Sequence, residues 1–175
     1  KGILPPSVFL PVVENHAMAI DIGEWVIDTA LTEREHWLAS GLDIPVSVNV
    51  GALQLQRSDF VTRLSEILAR HPPIKPGDLE MEVLETSALD DLPGISQVIG
   101  QCRELGITFA LDDFGTGYSS LTYLKRLPAS VLKIDQSFVR DMLDDPEDLA
   151  IVQGVLSLAK AFRRDVVAEG VETAA

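Results

Sequence analysis

Two adjacent aspartates, Asp112 and Asp113, follow an apolar run and are the residues of this sequence best placed to do chemistry. The run, residues 107–111, predicts a buried strand, and Gly115 and Gly117 allow the backbone to turn sharply beyond it. Paired carboxylates on such a loop are oxygen ligands of the kind that hard divalent metals prefer. Asp is also common in ordinary turns. This stretch alone therefore leaves a metal site and a simple turn as equal alternatives.

Strand and helix patterns alternate along the rest of the chain. Further strands are predicted at residues 45–50, 78–83, 131–134 and 165–169. A helical pattern follows nearly every strand, which is typical of a parallel sheet. An entry helix is predicted over about 7–15. A longer amphipathic helix ends at Gly41, and its apolar face carries Ile22, Trp25, Val26, Ala30, Trp37 and Leu38. The other predicted helices are one capped by Ser58, one that contains Cys102 and ends near Gly106, one over 121–125 capped by Ser119 or Ser120, and one opened by Asp145 and Pro146.

The predicted strands alternate between apolar and polar residues, whereas strands covered by helices on both faces usually read as continuous apolar runs. One parity carries apolar residues such as Val48, Met81 and Phe109, which suit a face packed on helices. In a closed barrel the opposite face lines the lumen, and barrel enzymes place catalytic groups at the C-terminal strand ends. The sequence therefore predicts an α/β fold of the TIM-like (β/α) barrel type. The polar residues expected to converge at that end are Asn49, Glu82, Asp112, Asp113, Lys133 and Glu169.

Buried carboxylates repel one another and are costly without a cation. Lys133 supplies one positive charge, which is not enough, so the pattern favours a bound metal with Asn49 contributing a neutral carbonyl oxygen. Each residue has a structural alternative, with Asn49 as a helix cap, Lys133 as an ion-pair partner or Glu169 as a solvated loop residue. The recurrence of five such residues on one parity favours the functional interpretation.

The composition is that of a globular, acidic protein of 175 residues with a formal net charge of −13. This charge argues against binding to a DNA or RNA polymer and against contact with an anionic membrane surface. A phosphate-bearing substrate stays possible, because bound metal ions reverse the local sign. The single cysteine, Cys102, excludes an internal disulfide and suits a reducing compartment. We expect Cys102 to lie in the core and this segment to be cytoplasmic. A membrane tether elsewhere in a longer parent chain is compatible with that expectation.

A series of short motifs runs in order along nearly the whole chain. The motifs are Gly2-Ile3-Leu4-Pro5 with Phe9 and Glu14, Asn49-Val50-Gly51-Ala52 with Gln54-Leu55, Glu82-Val83-Leu84-Glu85, the loop from Asp112 to Leu121, Leu132-Lys133-Ile134-Asp135, and Ala168-Glu169-Gly170-Val171-Glu172. This ordered set resembles the EAL-domain family of cyclic-di-GMP phosphodiesterases. The ordered set is far more specific than any one of its motifs.

The resemblance implies a metal-dependent hydrolysis of cyclic di-GMP. Asn49, Glu82 and Asp112 would bind a first metal ion, and Asp112 and Asp113 would bind a second. Two Mg²⁺ or Mn²⁺ ions would activate water for in-line displacement at one phosphodiester bond, giving the linear dinucleotide pGpG.

The same resemblance implies three further roles. Lys133 would contact the attacking water or a phosphate oxygen, and Glu169 would be the general base. Glu85 would anchor the loop from Asp113 to Ser120 and so couple metal binding and dimerisation to activity. The expected partners are a second copy of the chain and a fused sensor or GGDEF-type domain.

The sequence also departs from the family pattern. Gly51 replaces a usual Ser and Leu84 a usual Thr, and neither the Glu-Ala-Leu strand nor the closing strands after Glu172 are in the sequence. A complete barrel takes about 250 residues, so on the order of 75 are lacking, and we expect a single EAL-type domain over residues 1–175 that is truncated at both ends. The main alternative is a catalytically inactive cyclic-di-GMP receptor or protein-interaction module. An unrelated metal-dependent barrel lyase or aldolase would explain the carboxylates but not the ordered motifs.

Overall fold

Five parallel strands form one sheet in the order in which they occur along the chain. The computed structural model describes residues 2–85, 91–117 and 121–172. The cap predicted at Ser119 or Ser120 lies outside these residues. Consecutive parallel strands joined by helices are the arrangement of part of a TIM-like barrel, which confirms the predicted fold class. The strands are β1 (Val46–Asn49), β2 (Leu79–Leu84), β3 (Thr108–Phe114), β4 (Val131–Ile134) and β5 (Asp165–Ala168).

Helices precede and connect the strands, and most lie where the sequence predicts them. Asp145 caps the last of them by accepting a hydrogen bond from the backbone N–H of Glu147 at 2.8 Å, with Pro146 at the first helical position. No helix in the described part of the chain combines the length and apolarity needed to cross a bilayer. The described helices are α1 (Pro6–Val13), α2 (Met18–Ala39), α3 (Ala52–Leu55), α4 (Phe60–Ala69), α5 (Leu92–Glu104), α6 (Leu121–Arg126), α7 (Gln136–Asp141) and α8 (Pro146–Phe162).

The local structure differs from the sequence-based prediction at two places. The residue preceding α4 is Asp59 rather than Ser58, and its carboxylate binds the Arg57 side chain at 2.7 Å instead of capping the helix. The short helices α3 and α7, of four and six residues, were not predicted.

The buried face of α2 agrees with the predicted one in part, since Val26 and Ala30 pack against the core. Trp25 is 66% exposed, whereas Ile27, Leu31 and Arg34 are almost completely buried. The Arg34 guanidinium is tolerated there because it lies between Asp43 and Asp78, the latter at 3.1 Å. These two carboxylates precede β1 and β2, so the ion pairs join α2 to the N-terminal edge of the sheet.

The alternation of the strands is confirmed at the centre of the sheet. Leu79, Met81 and Val83 of β2 are buried against the helices, while Glu80 and Glu82 are partly exposed on the other face. At the edge strand β5 the predicted apolar parity is weaker, since Ala168 is exposed. β3 extends three residues beyond the predicted limit and contains the aspartate pair, because backbone pairing with β2 continues to Asp112.

Candidate active site

Strand register brings the predicted polar residues to the C-terminal edge of the sheet. Asn49 of β1 is paired with Glu82 of β2, and Leu84 of β2 is paired with Asp112 of β3. Alternation directs Glu82 and Asp112 to the same face as Asn49, away from the helices. The side chain of Asn49 is exposed on this face.

Lys133 of β4 connects three of these elements. Its Nζ lies 2.9 Å from Glu82 Oε2, 2.8 Å from Asp112 Oδ1 and 2.7 Å from Glu169 Oε1. Burial alone would lower the pKa of Lys133, but the hydrogen bonds to Asp112, Glu169 and Glu82 outweigh it and raise that pKa. The ammonium therefore stays charged at neutral pH. Three carboxylates face this one positive charge, which leaves an excess of negative charge that suits a further cation.

Asp113 occupies an unusual backbone conformation. Its φ is 54°, in the left-handed region that few non-glycine residues adopt, and the β3–β4 register shifts between Leu111 and Phe114. The pKa of Asp113 is raised to about 6, first by burial, then by the charge of Asp112 and by a hydrogen bond with Asp135. The structure therefore places Asp113 where its carboxylate is unfavourable unless a positive charge compensates it.

The donor set fits a hard divalent metal ion. Ligand oxygens of Asp112, Asp113 and Glu169 all lie within 4.8 Å of one another, and three carboxylates are typical ligands of Mg²⁺ and Mn²⁺. The sequence-based interpretation had assigned Glu169 to the general base alone. The structure also brings this residue, across β4, into the cluster of the aspartate pair.

Glu85 contacts the loop that follows β3. It is 1% exposed, and its Oε2 accepts a hydrogen bond from the backbone N–H of Gly115 at 3.0 Å. A Cβ at Gly117 would lie 2.6 Å from Oε1 of Glu85, so the loop backbone packs directly on this carboxylate. Residues 118–120 of the same loop lie outside the described residues.

The two departures from the family pattern fall at tolerant positions. Gly51 stands at the N-cap of α3, and a Cβ added there would meet nothing within 4 Å. Leu84 is 43% exposed on the polar face of the sheet and leaves the Glu85 contact in place.

Asp135 is a site residue whose role sequence reasoning missed. It follows β4, lies close enough to Asp113 to contribute to the raised pKa of that carboxyl, and accepts a hydrogen bond from the backbone N–H of Ser137 at 2.9 Å. Hydrogen bonds from Ser137 hold the pKa of Asp135 below its usual value. Its position two residues after Lys133, on the same strand parity, was the available signal.

Comparison with known proteins identifies the family of this chain. The model of the family described as EAL domain matches residues 1–175. The chain belongs to the EAL domain family. The bifunctional diguanylate cyclase/cyclic di-GMP phosphodiesterase MucR of Pseudomonas aeruginosa is 41% identical over 175 residues, which cover 99% of this chain and 25% of MucR. The signaling protein YkoW of Bacillus subtilis is 39% identical over 171 residues, which cover 98% of this chain and 21% of YkoW.

Solved structures show the same fold. The structure of the MucR phosphodiesterase in complex with c-di-GMP superposes on this chain with a TM-score of 0.90 at 41% identity. The superposition covers 98% of this chain and 74% of the MucR chain. The EAL domain of Mycobacterium smegmatis DcpA superposes on this chain with a TM-score of 0.81 at 39% identity. The superposition covers 89% of this chain and 70% of the DcpA chain. The chain spans about a quarter of the length of the curated relatives given above.

Proposed function

We propose that this EAL domain hydrolyses one phosphodiester bond of cyclic di-GMP and releases linear pGpG. The observation that carries the proposal is the position of Lys133. Its ammonium is held by carboxylates from β2, β3 and the end of β5, directly beside the cluster of Asp112, Asp113 and Glu169. The similarity to MucR, which is named a phosphodiesterase and was solved with c-di-GMP, supports the choice of substrate.

The proposed metal ligands divide into two overlapping sets. Asn49, Glu82 and Asp112 would hold one ion, and Asp112 and Asp113 the other, with Glu169 within reach of the second. Two bound Mg²⁺ or Mn²⁺ ions would supply positive charge to the phosphate and lower the pKa of a coordinated water. The negative excess around Lys133 is the electrostatic reason for expecting cations here.

Lys133 and Glu169 have the proposed chemical roles. Glu169 accepts the proton of the attacking water as the water oxygen forms its bond to phosphorus. The bond to the leaving sugar oxygen breaks, and that oxygen takes up a proton from solvent to give the hydroxyl of the product. The Lys133 ammonium, 2.7 Å from Glu169 Oε1, orients this carboxylate and stabilises the charge that develops on the phosphate oxygens. The raised pKa of Lys133 keeps this group charged throughout.

The proposal extends to the whole protein in three respects. We propose that it acts as a homodimer in the cytoplasm. We further propose that it carries a sensor or GGDEF-type domain, as the bifunctional name of MucR indicates for that relative. Glu85, bonded to the loop after β3, is the proposed link between dimerisation and the metal site.

The test is hydrolysis of cyclic di-GMP by the full-length protein that carries these residues, with Mg²⁺ or Mn²⁺. Asp112→Asn and Glu169→Gln remove one carboxylate each with little change of shape, and Glu104→Gln, at an exposed position of α5, is the matched control. We expect turnover to fall at least about 100-fold in the first two variants and to be unchanged in the control. Tight binding of cyclic di-GMP without turnover in the parent protein would overturn the enzyme proposal and establish a receptor. Neither binding nor turnover would leave a protein-interaction scaffold.

A further inference from the structure

The short helix α7 lies between the two groups of carboxylates that form the candidate metal cluster. β3 carries Asp112 and Asp113, β5 leads to Glu169, and β4 separates these strands in the sheet. Because β3 and β5 are not hydrogen-bonded to each other, sheet register alone does not bring their ends together. The distance between them depends on what fills the space at the end of β4, where α7 begins.

Both turns that follow the carboxylates contain a glycine packed directly on α7. Gly170, next to Glu169, has a φ of 70°, and a Cβ placed on it would lie 2.7 Å from Cβ of Gln136. Gly115 has a φ of 105°, and a Cβ there would lie 3.2 Å from Cε2 of Phe138. The first distance is shorter than any ordinary carbon–carbon contact. The backbones of the two turns therefore rest on the side chains of one helix.

α7 is itself held firmly in place. Its N-cap, Asp135, accepts hydrogen bonds from the backbone N–H and the hydroxyl of Ser137. Val139 is buried in the core shared with β4.

We propose that α7 is the spacer that sets the separation between Glu169 and the Asp112–Asp113 pair, with Gln136 and Phe138 acting as positioning residues. Gln136 fixes the β5 turn through Gly170, and Phe138 fixes the β3 turn through Gly115. The proposal rests on the metal site proposed above. Since metal ligation and proton transfer both require oxygens placed within a few tenths of an ångström, a small shift of either turn affects both.

The decisive experiment compares two variants of the full-length protein, one that introduces a steric clash with α7 and one that relieves it. Gly170→Ala introduces the Cβ that meets Gln136, and Gly170→Ala/Gln136→Gly removes its collision partner while leaving the backbone strain at residue 170 unchanged. Gln136 is exposed, so its replacement opens no core cavity. Gly154→Ala in α8, where an added Cβ meets nothing within 4 Å, is the matched control.

Three quantities are measured for each variant: the affinity for Mn²⁺ by titration calorimetry, the kcat and KM for cyclic di-GMP, and the midpoint of thermal unfolding. We expect Gly170→Ala to weaken Mn²⁺ binding about 10-fold and to lower kcat about 10- to 100-fold, with KM changed less. We expect the double variant to recover most of the Mn²⁺ affinity. The control is expected to behave as the parent protein.

Two results would overturn the proposal. In the first, the double variant is no better than Gly170→Ala, which would attribute the loss to backbone strain rather than to α7. In the second, Gly170→Ala keeps the parental Mn²⁺ affinity. If Gly170→Ala fails to fold, Phe138→Leu replaces it in the test, since it removes the ring edge beside Gly115 and is expected to weaken Mn²⁺ binding. A parent that binds Mn²⁺ without turnover would refute the phosphodiesterase proposal alone, because the affinity comparison still tests α7.

Discussion

Replacement of Lys133 by methionine tests the electrostatics of the site directly. Met keeps most of the volume of the side chain but removes the ammonium that faces Glu82, Asp112 and Glu169. The three carboxylates then face one another without a compensating positive charge. We expect the domain to lose stability in the absence of divalent metal and to regain much of it when Mn²⁺ is added.

The magnitude follows from the burial of the partners. Removing one member of a fully buried ion pair costs about 3–5 kcal/mol. The side chains of Glu82 and Asp112 are 13% and 14% exposed, while that of Glu169 is 29% exposed. Solvent screening therefore reduces the expected cost to about 2–3 kcal/mol. For a domain of this size the loss corresponds to a decrease of about 5–10 °C in the unfolding midpoint.

The sign of the pH dependence is also determined. Lys133 has a raised pKa in the folded protein, so its stabilising contribution is fully present below the unfolded-state value of about 10.4 and is lost only as the pH rises through the folded-state value. The loss of stability on removal of this charge is therefore expected at both pH 5 and pH 8.

The assay is thermal unfolding of the full-length protein in EDTA and again in Mn²⁺, followed through the transition of this domain. Mn²⁺ at about 100 times its dissociation constant stabilises the folded state by about 2.7 kcal/mol. This is enough to offset the missing ammonium. Lys160→Met in the last turn of α8 is the matched control. An unchanged midpoint for Lys133→Met in EDTA at pH 8 would refute the argument that the carboxylates need a cation.

Two further predictions concern the loop and the core. Gly117→Ala places a Cβ 2.6 Å from Oε1 of the buried Glu85, whose other oxygen is bonded to Gly115, and should lower turnover of cyclic di-GMP at least about 5-fold through overpacking of about 1–3 kcal/mol. Full activity in a steady-state assay, equal to that of Gly100→Ala, would show that this contact does not matter. Cys102 is completely buried and its pKa is raised to about 12 by burial, so a thiol reagent at pH 8 should label it only after denaturation, as read by peptide mass spectrometry. Rapid labelling of the native protein would contradict its place in the core.

The strand pattern was predictable because it depends on local properties. Alternation of apolar and polar side chains has a period of two whatever surrounds the strand. It correctly placed Met81 on the helix-packed face of the sheet and Glu82 on the opposite face. The ordered motifs likewise lie along the sequence and need no structure to be read. They led to the EAL family, which the match over residues 1–175 confirms.

The errors arose where burial depends on distant partners. Trp25 is apolar but exposed, while Arg34 is charged but buried, since Asp43 and Asp78 from other elements compensate its charge. Hydrophobicity along α2 contains no information about those partners.

For the candidate site, the sequence by itself determined which side chains stand at strand ends and that they are mostly carboxylates. Only the tertiary structure decided their grouping: Lys133 binds three carboxylates at once, and Glu169 joins the aspartate pair across β4. The position of α7 beneath Gly115 and Gly170 was equally invisible in the sequence. The physical reason is that distances between non-neighbouring strands depend on side-chain packing summed over the whole sheet, whereas strand parity depends on the backbone of one segment.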